Sequence, residues 1–317
     1  MPKALYAIGF ALLLGQPAGL LAEQRQASGA AAAPLVVSPG AGSIVTVHVD
    51  GRPRRLRVDP GIGLALNPGA AARAGLTGGI FSGTIVIGPV QIQGNSSLAR
   101  LQIGEWTGRR RIFWFDRDIV EGADGTIGMA DLPDETVTLQ LREPQAGEQR
   151  YQFRVRQGGL MGLVYRHRLG DRDVDVQFRP IQPITQASAA VGALLGQLHN
   201  GTWSAAPREE LITMGVSRPV RPMRLATPLS LNGFMVHELL IRIDYRGNYV
   251  LPADPPAVVE AGDPNEVVVV GRSRGRGRAA FRLTFGADQL SGCSSITYSK
   301  TSELLTLVCR RNPAQTG

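Results

Sequence analysis

The side chain with most to offer chemically is Asp59, set in Asp59-Pro60-Gly61 where a returning strand runs into a turn. A carboxylate there can act as a general base on water, and a second carboxyl close by would share a proton with it, because two adjacent carboxyls cannot both ionise. Other reactive groups are sparse. His48, His167, His199 and His237 are scattered without metal-ligand spacing, so no metal is expected. No Gly-x-Ser-x-Gly elbow, phosphate-binding loop or dinucleotide fingerprint occurs, and no cofactor is implied. Cys293 and Cys309 bracket a strand-like hairpin and read as a disulfide, with 15 intervening residues giving about 3 kcal/mol of chain-entropy stabilisation.

The elements around Asp59 are those of a β-rich lobe. Val45-Thr46-Val47-His48-Val49 alternates as a strand, Asp50-Gly51 makes a tight hairpin turn, and Arg55-Leu56-Arg57-Val58 returns. Beyond the turn come the small apolar run Leu64-Ala65-Leu66 and a short helix expected around Ala70–Ala74. A hairpin follows between Ile80 and Ile92, and then the closing segment Asp124-Gly125-Thr126-Ile127-Gly128-Met129.

The chain also resembles itself. Ile85-Val86-Ile87-Gly88 matches Ile212-Thr213-Met214-Gly215 at an offset of 127, and Arg111 to Asp116 matches Leu239 to Asp244 at 128. The closing glycine Gly128 matches Gly286 at 158, which leaves an insertion of about 30 residues over 252–280. An offset of 127 carries Asp59 onto Gln186, in Gln186-Ala187-Ser188, so the second copy is expected to keep the turn and lose the acid. A second short helix is expected at Pro207–Leu211.

Hairpin, Asp-x-Gly turn and closing glycine, in that order, resemble the retropepsin-like and pepsin-like aspartic proteases. The resemblance implies an all-β, two-lobed aspartic-protease-like fold, a double β-barrel with short helices. It also implies a cleft between the lobes that takes a peptide or protein. Asp59 would be the candidate catalytic residue, Pro60, Gly61, Gln186, Ala187 and Ser188 the turns, and Gly128 and Gly286 the strands passing behind them. Two departures touch the centre. Gln186 cannot exchange a proton, and Pro60 lacks the hydroxyl that the family's Thr or Ser supplies. Weak or absent peptidase activity is the expectation. The alternatives are an active endopeptidase, with Asp59 completed by a second copy or another acid, and an Arg-rich polyanion-binding surface.

Composition sets the outer limits. Lys3 followed by the apolar run Ala4–Leu14 reads as a signal peptide over 1–22, hence export to a periplasmic or secreted location. Residues 23–42 read as a flexible leader, 43–168 as the first lobe, 171–310 as the second and 311–317 as a tail. No stretch is long and apolar enough for a membrane span. The net charge of +8 rests almost wholly on Arg, concentrated at Arg109–Arg111 and in the run from Arg272 to Arg278. Ile112-Phe113-Trp114-Phe115 beside the first cluster reads as a core strand, and no nucleic acid is expected as a partner. The segment Asn265 to Arg272 resembles the short box by which bacterial outer-membrane receptors engage an energy-transducing partner; an ordinary strand is the simpler reading.

Overall fold

The computed structural model describes residues 35–37, 43–78, 81–87, 90–243, 251 and 281–310. The expected signal peptide, almost all of the leader, the insertion at 252–280 and the tail lie outside the described residues. The latter belong to one compact unit, Pro34–Gly317.

Alternation of apolar and polar residues builds the first half. Strands β2 (Ile44–Val49) and β3 (Arg52–Val58) bury Val47, Val49, Leu56 and Val58 and turn their polar neighbours outward. Asp50 and Gly51 both take positive φ, 47° and 80°, as a two-residue hairpin turn that follows the strand twist requires. There follow β4 (Ala65–Leu66), helix α1 (Pro68–Ala74), β5 (Phe81–Ile87), β6 (Val90–Ile103), β7 (Trp106–Phe115) and β8 (Gly125–Ile127). The sheet order is β2-β3-β8-β4-β7-β6-β5, and an extra pairing of β2 with β6 closes six of these strands into a barrel.

The remaining strands form one sheet of thirteen. They are β1 (Leu35–Val37), β9 (Thr136–Gln140), β10 (Gln149–Gln157), β11 (Leu163–Leu169), β12 (Arg172–Phe178), β13 (Gln186–Ala187), β14 (Gly201–Trp203), β15 (Arg208–Thr213), β16 (Val216–Leu231), β17 (Phe234–Arg242), β18 (Arg282–Phe285), β19 (Cys293–Ser299) and β20 (Leu304–Cys309). Helices α2 (Ala189–Leu198) and α3 (Ala287–Leu290) interrupt them. The order is β1-β9-β19-β20-β10-β11-β12-β18-β13-β17-β16-β14, with β15 paired to β16. The protein is all-β. The expected division at 168–171 falls at the β11–β12 hairpin turn, and strands from both sides of it share this sheet.

One pairing scheme occurs twice. Strand β3 lies parallel to β8, while β4 lies parallel to β7 and antiparallel to β8. In the second half β12 lies parallel to β18, while β13 lies parallel to β17 and antiparallel to β18. The copies differ at one edge. Strand β2 seals the first barrel against β6, whereas its counterpart β11 pairs with β10 and runs into the larger sheet.

The helix expected at Pro207–Leu211 is instead the start of β15, and the second helix is α2. Residues Arg208 to Leu211 find backbone partners on β16 from Val220 to Ser217, and these outweigh the modest helix preference of Glu and Leu. The run Ala189-Ala190-Val191-Gly192-Ala193-Leu194-Leu195 forms the helix because Ser188 caps it, its Oγ accepting from the Val191 N–H at 3.5 Å. Aromatic rings fill the core beside it. Phe178 and Phe285 stack with centroids 5.4 Å apart, and Phe153 and Phe234 pack around them. Burying each ring contributes about 2 kcal/mol. Cys293 and Cys309 form a disulfide across β19 and β20.

Candidate functional site

The site grows from the ends of two parallel pairings. Strand β3 ends at Val58 opposite Ile127, and the next N–H, that of Asp59, donates to the Ile127 carbonyl at 3.1 Å. Strand β12 ends at Phe178 opposite Phe285, and the next N–H, that of Arg179, donates to the Phe285 carbonyl at 2.8 Å. Arg179 therefore holds in the second copy the place that Asp59 holds in the first.

Gln186 occupies a different position from the one the offset implied. It pairs with Leu240 and Thr284 in the way Ala65 pairs with Phe113 and Thr126. The offset of 127 belongs to the strands after the helix. Helix α2 has ten residues against seven in α1, and β14 follows it, so the two turns lie only 120 positions apart. Ala187 lies in β13, and Ser188 is the helix cap, its Oγ also accepting from the Arg282 N–H at 3.3 Å.

Asp59 and Arg179 meet. Arg179 Nε donates to Asp59 Oδ2 at 3.2 Å, and the Gly61 N–H donates to Oδ1 at 2.8 Å. The Asp59 side chain is 0% exposed and that of Arg179 11%. Burial pushes the Asp59 pKa up, and the Arg179 guanidinium and the Gly61 N–H pull against that rise without reversing it. The carboxyl thus ionises at higher pH than an ordinary aspartate, and Arg179 holds it once charged.

A glycine-rich crossover seals the turn. The segment Gly158–Gly162, with a 3₁₀ turn at Gly159–Met161, lies across Asp59–Gly63. The Leu163 N–H donates to the Pro60 carbonyl at 2.7 Å and the Gly63 N–H to the Leu160 carbonyl at 3.0 Å. Gln177 Nε2 donates to the carbonyls of Gly61, at 2.8 Å, and Met161, at 2.6 Å. A β-carbon on Gly162, where φ is +60°, would collide with Ile62 N and Pro60 O. One on Gly61 would collide with Arg179 Cγ.

The closing glycines back the two turns. Gly128 lies against Ile62 O and Gly63 Cα, and Gly286 against the backbone of Ile184 and Gln182. Behind the second turn, Thr185 Oγ1 donates to Asp288 Oδ1 at 2.7 Å and accepts from the Gly286 N–H at 3.0 Å. Arg179, Thr185 and Asp288 were missed in the sequence. The one signal for Arg179 was the likeness of Phe178-Arg179-Pro180 to Val58-Asp59-Pro60.

A cavity of about 100 Å³ opens beside the pair, lined among others by Ile62, Leu160, Arg179, Gln182, Gln186 and Arg282. Ile85 and Ile87 approach it from β5, and Ile212 and Met214 from β15 and its turn. Ile62, Ile87, Ile212 and Met214 belong to a single buried cluster, so the two hairpins meet across the site. Away from it, Trp114 in β7 is only 8% exposed and Ile112 is fully buried, which makes that segment a core strand. Among the described residues no group of three or more His, Cys, Asp or Glu could hold a metal, and no helix is long and apolar enough to cross a membrane. No protein-family model matches this chain, and no curated protein matches it either.

Proposed function

We propose that this chain is an exported binding protein on an aspartic-protease-like frame, with no peptidase activity of its own, whose ligand enters between the two copies. The observation that carries the reading is the Asp59–Arg179 pair. Peptide hydrolysis on such a frame needs two carboxyls sharing one proton beside a water. Here one of the two equivalent positions holds a guanidinium, which keeps its proton at all accessible pH. Both Asp59 oxygens are engaged and neither meets solvent. A second copy could supply another acid only by displacing Arg179 and the Gly158–Gly162 crossover. Export is supported by the Lys3 and Ala4–Leu14 pattern and by the disulfide.

Incubating the purified protein with denatured casein from pH 3 to pH 7 tests the proposal. No cleavage is expected beyond that of the Asp59→Asn variant. Cleavage by the wild type that Asp59→Asn abolishes would end it.

A further inference from the structure

The cavity beside Asp59 has a one-sided chemistry. Arg179, Arg242 and Arg282 line it, and no carboxylate is among the described residues in its wall. Arg179 is matched by Asp59 from behind. The acid whose charge acts on Arg282 is Asp175, which is already engaged by Arg156 at 3.1 Å and Arg166 at 3.7 Å. Burial lowers the Arg282 pKa, Asp175 raises it, and Arg179 lowers it again, so a second anion near this guanidinium would relieve an electrostatic deficit.

Two amides in the same wall are incompletely satisfied. Gln182 and Gln186 are 6% and 5% exposed. Gln182 Nε2, a donor, and Gln186 Oε1, an acceptor, have no hydrogen-bond partner. Buried polar groups are nearly always paired, so each of these two atoms calls for a partner, such as a water, an ion or a ligand group. The rest of the wall combines aliphatic surface, from Ile62, Ile85, Ile87, Ile212 and Met214, with the polar side chains of Gln177, Thr213 and Thr284.

A ligand that suits all of this needs a carboxylate for the guanidiniums and the Gln182 amide, one N–H for Gln186 Oε1, and an aliphatic branch. We propose that the cavity binds the C-terminal residue of a peptide chain, with its free carboxylate turned to Arg282 and Gln182, its amide N–H to Gln186, and a leucine-like side chain against the isoleucines. The inference rests on the binding reading above and adds the ligand's class. A cavity of about 100 Å³ is too small for an extended strand, which favours recognition of a terminus over a chain interior.

Titration calorimetry on the full chain with acetyl-Ala-Ala-Ala-Leu, its C-terminal amide and isocaproate tests this. The free acid is expected to bind. The amide, lacking the charge, and isocaproate, lacking the N–H, should each bind at least tenfold more weakly. Arg282→Gln should weaken the free acid tenfold or more and leave the amide unchanged. If Arg282→Gln does not fold, Gln186→Leu serves, and should bring the free acid down to the affinity of isocaproate. Equal binding of acid and amide, equal binding of acid and isocaproate, or no binding of any probe overturns the inference. None of these outcomes touches the absence of peptidase activity, which the casein assay decides separately.

Discussion

Taking the Asp59 carboxylate wholly out of water costs several kcal/mol, and Arg179 offsets part of that through a charge-assisted hydrogen bond. Removing one partner of such a pair costs more than the pair itself contributes. Arg179→Ala should therefore lower unfolding stability by about 3 kcal/mol, measured by urea denaturation at neutral pH, and Asp59→Asn in the same chain should recover part of the loss. The pH dependence follows from the raised Asp59 pKa. A carboxyl with a higher pKa folded than unfolded binds more protons in the folded state, so its contribution is present below the unfolded value near 3.8 and lost as pH rises through the folded one. The stability of wild type relative to Asp59→Asn should fall as pH rises from about 4 and then level off. A difference that instead shrinks on acidification would mean that Arg179 outweighs burial.

At the scale of elements, the Gly158–Gly162 crossover decides whether the turn is open or sealed. Gly162→Ala places a β-carbon at φ +60° against backbone atoms of Pro60 and Ile62, and should destabilise by about 2 kcal/mol or more. Thermal unfolding checks this, and Gly147→Ala, at φ +79° with open space around it, separates the strain from the collision. Much of this architecture was legible. The first hairpin, helix α1 and the closing glycines follow from alternation, from the Asp50-Gly51 turn and from glycine in apolar surroundings. The partner of Asp59 was not legible. Residues 59 and 179 meet through parallel pairings made with β8 and β18, far along the chain, and a uniform offset cannot survive the longer α2. The helix expected at Pro207–Leu211 failed for a related reason, since local preference cannot register a partner strand that begins at Val216.

Across the whole molecule the first barrel is held by pairings within residues 44–127, while the large sheet draws on the chain from Leu35 to Cys309. The Cys293–Cys309 bond pins the β19–β20 hairpin, which lies between β9 and β10 in that sheet. Its reduction should lower stability by about 3 kcal/mol, read by denaturation with and without dithiothreitol. Loss of that hairpin would be felt from β9 to β10, which the sheet joins through β19 and β20. During translation the sealed barrel can be complete once residue 127 has left the ribosome, whereas β9 and β10 wait, edges bare, until the final strands are made. A nascent chain halted after residue 291 would thus fail in its middle as well as at its end.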